Sequence, residues 1–511
     1  MVRRTQPSRR LIDALRPGRI VRGVALAVAA CAAMSVAGCG LLGGGGTPTV
    51  VAVGDLHRDP DRAPAPLSIA DRLLLDATAQ GLVTFGADGQ VEAGLAERWT
   101  VIDGGRSYIF RLREARWPDG KRVRAADVAE ILRRRMMAAR LRPALRGEFA
   151  SVESVRAMTA KVIEIRLSRP EPYLLDLLAQ PDVSIVNRGT GWGPWRVEWH
   201  GNVASLSEVP LMTMVGKGVE DDAAPEHVIR LIGSNSLDAV TRFDEGSASA
   251  VIGGRYEGWP YIAAADISRN AAAVDPTDGL FGLAVVNDEG PLASTAVRDA
   301  INMAIDRARI AEVLSARGWS PRITIRPSGS ASGGIDPVYP DWVSLSPEQR
   351  LARARRQVAL WREGHEGVTA QIRIALPEGP GSRILFAVIR TNLKAIGLDV
   401  RLVALSSDAD LRLIDEVAPS SDPAWYLRRL DRAFASAGEG EARRRVAAIA
   451  DASAAQIPDA IGAADRALTA DTRFIPLGAP LRWSLVSTEV RGFRPNVRSR
   501  HGLNRLIPSP D

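Results

Sequence analysis

The stretch LAERWTVIDGGRSYIFRLREARWPDGKRVRAADV, Leu95 to Val128, is the most informative in the chain. Trp99 and Val101 lead into Asp103-Gly104-Gly105, after which Tyr108, Phe110 and Leu112 alternate with Ser107, Ile109 and Arg111. Two alternating runs around an Asp-Gly turn predict a β-hairpin with one buried face. Trp117-Pro118-Asp119-Gly120 predicts a second turn. From Asp127 the period changes, and Val128, Ile131, Leu132 and Met136 share one helical face. Asp127 falls in the first helical turn, where a carboxylate favours the positive end of the helix dipole.

The second half reads as α/β. Ser346-Pro347-Glu348-Gln349 has the pattern of a helix start, with serine as cap, proline at the first position and glutamine three residues after the cap. Val368 to Leu376 predicts a strand, about Ser382 to Ile396 a helix, Gly397 its C-cap and Leu398 to Val403 a second strand. Strand, helix and strand with a short exit make a βαβ unit, hence a parallel pair.

At 511 residues the chain exceeds what one hydrophobic core usually organises, so two or more lobes are expected. The net charge of +7 belongs to the first residues. Residues 1–38 hold seven arginines against Asp13, a net +6, which leaves +1 for the rest. A body so close to neutral gives no field for a phosphate backbone, so nucleic acid is excluded as a partner.

Those first residues have the parts of a secretory signal: arginines, an apolar run from Gly23 to Ala37, then Val36-Ala37-Gly38-Cys39. The run is short for a membrane span and ends in small residues, which predicts cleavage. The ending resembles a bacterial lipobox, which implies that Cys39 is acylated and becomes the first mature residue. Cys31 lies within the leader, so Cys39 is alone in the mature chain and no intrachain disulfide is expected. Residues 39–48, with the tetraglycine Gly43 to Gly46, then form a flexible tether.

The block Leu95–Val128 also resembles the signature region of the extracellular solute-binding proteins of family 5, the oligopeptide- and dipeptide-binding components of ABC importers. Leu95, Ala96, Trp99, Tyr108, Phe110, Leu112, Arg113, Asp119, Gly120, Asp127 and Val128 carry the match. The family's threonine before the helix is replaced around Arg124-Ala125, which removes an N-cap. Further matches follow in order: Arg169-Pro170 with Tyr173, Leu174 and Leu178; Gly191-Trp192-Gly193-Pro194-Trp195; Asn287; Val297 to Ile301; Ala304 to Arg307; and Ile475-Pro476-Leu477 before Arg491-Gly492-Phe493. The resemblance implies an α/β fold of two lobes, of the large type II periplasmic-binding-protein kind, with mixed sheets and an interlobar cleft. Lobe one would span 49–265 and regain the chain at 471–511, with lobe two at 266–470.

In the family's peptide binders an aspartate three residues before the second acid of an Asp-x-x-Asp-Pro-like loop pairs with the ligand's α-ammonium. Asp422-Pro423 matches the end of that loop, and the ammonium partner's position falls on Pro419. A desolvated ammonium without a counter-charge is several kcal/mol unfavourable, so free-amine peptides need Asp422 or Glu416 as substitute.

Enzymatic chemistry has no visible set of residues. The five histidines are scattered, and no GxSxG, Walker or strand-linked GxGxxG sequence occurs. Asp55-x-His57-x-Asp59-x-Asp61 has alternating metal-type ligands, but a Pro-rich segment beside an edge strand reads better as a solvated loop. No metal or cofactor is expected. Eleven tryptophans against six tyrosines suit a cleft that grips organic solutes. Trp99 and Trp117 read as packing, whereas Trp192, Trp195 and Trp425 lie in turns or loops and are the candidate cleft walls.

The expected protein is a monomeric, lipid-anchored receptor on the periplasmic or cell-surface side of a bacterial membrane. It would capture a peptide-like or other small organic solute by lobe closure and deliver it to an ABC permease and ATPase complex. The alternative is an envelope lipoprotein with a degenerate cleft and a structural or assembly role.

Overall fold

The computed structural model describes residues 47–60, 67–187, 189–209, 227–265, 267–268, 270–329, 334–367, 371–434 and 440–507. Cys39 and the expected signal segment lie outside the described residues. Pro48–Asp511 form one compact unit.

Thr49–Val53 (TVVAV) sits centrally in a seven-stranded sheet, parallel to Val228–Ser234 on one side and Ala250–Arg255 on the other. Apart from Thr49 it is apolar, because both of its faces are covered. Val50 and Ala52 pack with Leu73, Leu74 and Ala77 of the helix Ile69–Thr78, and Val51 packs with Ala239, Val240 and Trp483 on the other side. The strand preceding Asp55 is therefore an interior strand and not the edge expected. His57 pairs through Nδ1 with the buried Asp71 at 2.9 Å, and Asp61 lies outside the described residues. Among the described residues no three His, Cys, Asp or Glu side chains cluster to hold a metal.

The hairpin is present as Ala96–Ile102 and Ser107–Leu112, in a four-stranded antiparallel layer with Val162–Leu167 and Val152–Thr159. Gly104 and Gly105 take the left-handed backbone at the turn (φ 62° and 89°). Tyr108, Phe110 and Leu112 are buried as the alternation requires. Ser107, on the opposite side of the alternation, is buried too and donates to Glu164 Oε1 at 2.8 Å. The helix follows as Ala125–Ala139, and its cap Arg124 makes no side-chain capping bond. Trp117 packs in this layer's core, and Trp99 packs against it.

The βαβ unit is also present: Gln371–Leu376 and Asp399–Ala404 run parallel, joined by the helix Pro380–Ala395, with Gly397 at φ 90°. Residues 368–370 of the expected strand lie outside the described residues. Ser346 and Gln349 form the reciprocal capping box of the helix Pro347–Glu363. These strands belong to a five-stranded mixed sheet with Leu411–Val417, Gly279–Val285 and Phe474–Gly478.

Two segments cross between the large sheets. Ala272–Val274 ends the seven-stranded sheet and Gly279 opens its next strand in the five-stranded one; the return runs from Gly478 to Arg482. Arg491–Phe493 lies in a loop. The crossings are pinned together: Asp275 N–H donates to the Arg482 carbonyl at 3.0 Å, and Thr277 Oγ1 donates to the Pro480 carbonyl. The fold is α/β with mixed sheets in two lobes.

Candidate functional site

The segment Ala418–Ala424, between the strand Leu411–Val417 of the five-stranded sheet and the helix Trp425–Ala433, carries polar contacts to residues 176–180 and to Arg498. Gln180 Nε2 donates to the Pro419 carbonyl at 2.7 Å. Asp176 Oδ2 accepts the Ser421 N–H at 3.0 Å and pairs with Arg498 Nη2 at 2.7 Å. Arg498 Nη2 also donates to Ser421 Oγ at 2.6 Å, and its Nη1 to the Ala418 carbonyl at 3.3 Å. One guanidinium thus holds the loop and the carboxylate that faces it.

The helix adds a second set of contacts. Its face bearing Trp425, Arg428 and Arg432 meets residues 144–148, because positions three and four apart lie on one side of a helix. Trp425 Nε1 donates to the Ala144 carbonyl at 2.9 Å. Glu148, 5% exposed, accepts from Arg428 at 2.6 Å and from Arg432 at 3.1 Å. Arg428 also reaches Asp422 at 2.5 Å. Burial works against the Arg428 charge, but Asp422 and Glu148 outweigh it and hold the guanidinium above its ordinary value. Beside this cluster, burial pushes the Glu171 carboxyl up to about 7, with Asp422 adding repulsion and Arg428 opposing it.

The expected site residues divide into two groups. Glu416, Asp422 and Trp425 come together around this loop and helix. Glu416 is held by Arg429 through two bonds, at 2.8 and 2.6 Å, and Asp422 by Arg428, so neither carboxylate stands ready as an ammonium partner in this conformation. Trp192 and Trp195 lie elsewhere. Trp192 is buried in the core of the four-stranded layer, with the Arg113 guanidinium 5.4 Å from its ring centroid. Trp195 opens the edge strand Trp195–His200 of the seven-stranded sheet and is buried against the helix Ile69–Thr78. Trp425 is buried as well, so none of the three indoles presents open surface to a solute here. The flanking glycines explain the turn's composition. A Cβ at Gly191 would stand 2.1 Å from Ala79 Cβ, and one at Gly193 would stand 2.3 Å from the Ala77 carbonyl.

Sequence reading missed Glu148, Asp176, Gln180, Arg428 and Arg498. Arg428 had a signal in the arginine-rich helix YLRRLDRA, whose charged face cannot all be solvated. The others carried none, because their partners lie up to 322 residues away.

A third set of charges ties the sheets at the crossings. Asp415 accepts from Arg255 Nη2 and from Arg482 Nη1, each at 2.8 Å. Burial alone would raise the Asp415 carboxyl; Arg482 and Arg255 outweigh it and hold the group below its usual range.

Comparison with known proteins agrees with this architecture. The family model of bacterial extracellular solute-binding proteins, family 5 (middle), matches residues 90–435. The probable deoxycholate-binding periplasmic protein YgiS of Escherichia coli is 30% identical over 162 residues, covering 27% of this chain and 30% of that protein. The periplasmic oligopeptide-binding protein OppA of Salmonella typhimurium is 24% identical over 318 residues, covering 55% of this chain and 56% of that one. The matches thus span about half or less of these curated relatives. Among solved structures, Haemophilus influenzae OppA in complex with the peptide RPPGFSPFR superposes with a TM-score of 0.74 at 17% identity, covering 91% of this chain and 100% of that one. NikA from Brucella suis in complex with Fe(III)-EDTA superposes with a TM-score of 0.69 at 18% identity, covering 90% of this chain and 100% of that one. These relatives are binding proteins. With the family match spanning residues 90–435 and the two-lobe architecture in place, the chain belongs to the bacterial extracellular solute-binding proteins of family 5.

Proposed function

We propose that this chain is the lipid-anchored receptor of an ABC importer, taking a small organic solute between its lobes and presenting it to a permease. The observation that carries this reading is the set of bonds from Asp176, Gln180, Arg498 and Glu148 to the loop and helix 418–432. Lobes joined by two crossing segments and closed through such contacts gain a third partner when a solute bridges them. The solute's preference for the closed form is then the whole mechanism. Among the described residues no helix is long and apolar enough to cross a membrane, and Cys39 acylation is the proposed anchor.

The solute class follows from charge. Glu416 and Asp422 are committed to Arg429 and Arg428, and Pro419 has no carboxylate to offer, so recognition of an α-ammonium is disfavoured. We read the solute as peptide-like with a blocked amine, or another organic molecule without one. A thermal-shift screen of free and N-acetylated peptides, bile acids, sugars and metal chelates tests this. A true solute at a hundredfold over its Kd should add about 2.7 kcal/mol of stability. Tight binding of free-amine peptides that survives Asp422→Ala and Glu416→Ala would refute the charge argument. Absence of stabilisation across every class would favour the envelope-assembly alternative. Mass spectrometry of the membrane-extracted protein, with Cys39→Ser as control, tests the anchor.

A further inference from the structure

A cavity of about 150 Å³ lies between the helix Ile69–Thr78 and the C-terminal loop, and its Arg500 touches Gln180, the residue that bonds Pro419. It is enclosed by the C-terminal end of the helix Ile69–Thr78, the hairpin Val83–Phe85 and Val91–Ala93, and the loop 492–505. Asp76, Gln80, Arg500 and His501 line it, and the exposed Glu92 and Asn504 flank its solvent side.

Two of these side chains are opposite charges left apart. Asp76 and Arg500 feel each other's field, yet no N···O distance within 4.0 Å joins them. Among the described residues the Asp76 carboxylate accepts no hydrogen bond. The Arg500 side chain makes one, from Nη2 to Gln180 Oε1 at 2.8 Å, which leaves Nε and Nη1 free to face a guest. Arg494 and Arg505 also line the cavity and are exposed, whereas the buried charges nearby are engaged. Asp182 is held by Arg142 and, at 3.6 Å, by Arg72, and His501 Nε2 pairs with Asp275 at 3.0 Å while its ring packs on Phe493. Glu92 stands in solvent. Both side chains are only partly exposed, and each keeps hydrogen-bonding capacity with no partner among the described residues. A guest carrying N–H donors at one end and carboxylate oxygens at the other meets both at once.

We propose that this cavity binds a small zwitterion, a free α-amino acid of the size of glycine or alanine, with its ammonium on Asp76 and its carboxylate on Arg500. The volume of about 150 Å³ is ample for such a guest. This site goes beyond the solute reading above and does not depend on it. Burial first, and then the nearby Asp182, push the empty Asp76 carboxyl up to about 7 against the pull of Arg500. Seating an ammonium requires the ionised form, so binding near pH 6 releases a proton.

Calorimetric titration of the full chain with glycine, in two buffers of different ionisation heat, tests the proposal. The expected result is saturable one-to-one binding with proton release at pH 6. Asp76→Asn and Arg500→Gln should each weaken it about tenfold to a hundredfold, the loss of one charge-assisted hydrogen bond. Acetate and methylamine, each carrying one of glycine's two charges, should bind at least about tenfold more weakly than glycine. If Arg500→Gln fails to fold, the near-isosteric Asp76→Asn decides alone. No saturable glycine binding, a crystal grown with glycine showing water only in the cavity, or equal binding by wild type and Asp76→Asn would each overturn the proposal.

Discussion

Arg482 Nη1 lies 2.8 Å from Asp415 Oδ1, so a residue on the returning strand of the seven-stranded sheet holds a carboxylate in the middle of the five-stranded one. Arg255 grips the same carboxylate from the neighbouring strand. The knot lies beside the two crossing segments, where a closing motion would pivot. Removing a buried partner leaves the other charges uncompensated. Asp415→Ala should therefore destabilise the protein by about 3–5 kcal/mol in urea unfolding. A loss below about 1 kcal/mol would mean that the guanidinium groups find water or other acceptors.

The contact of Arg498 with Asp176 makes a prediction about conformation. Asp176→Ala removes the acceptor of both Arg498 and the Ser421 N–H. A charged hydrogen bond of this kind is worth about 1.5–3 kcal/mol, enough to shift a two-state equilibrium more than tenfold. The radius of gyration of the unliganded protein should rise in small-angle scattering, with the circular dichroism unchanged. An unaltered scattering curve would show that the loop 418–422 is not what holds the lobes together.

Stability should depend on pH through two raised carboxyls. Burial pushes both Glu171 and Asp76 up to about 7. Each binds more protons in the folded state than in the unfolded one between about pH 4.5 and 7. The contribution is thus fully present below the ordinary carboxylate range and is lost as the pH rises through 7. Each group sets a slope of at most about 1.4 kcal/mol per pH unit. Melting curves from pH 5 to 8 should show declining stability, and Glu171→Gln with Asp76→Asn should flatten it.

Packing at the Gly191-Trp192-Gly193 turn gives a steric prediction. Gly191→Ala places a methyl 2.1 Å from Ala79 Cβ, and backbone must move to relieve it. Overpacking of this kind is destabilising by about 1–3 kcal/mol. Gly104→Ala, whose Cβ would meet nothing within 4 Å, is the control for backbone strain without a clash.

What the sequence determined by itself was local. The hairpin around Asp103-Gly104-Gly105, the Ser346–Gln349 capping box and the βαβ unit over 371–404 depend on residues within a few turns or one crossover of each other. Period and turn chemistry therefore suffice to read them. The resemblance running along the chain added the two-lobe arrangement. What surrounds the candidate site was decided by tertiary structure alone. Gln180 meets Pro419 across 239 residues, and Arg498 meets Asp176 across 322. Trp195, in a turn by sequence, is core because helix Ile69–Thr78 covers it, and Trp192 is core because it packs into the four-stranded layer. A charge or an indole states what kind of partner it needs but not where that partner lies. The folded chain supplies the location, because burial and the bonds it demands are settled only when distant segments meet.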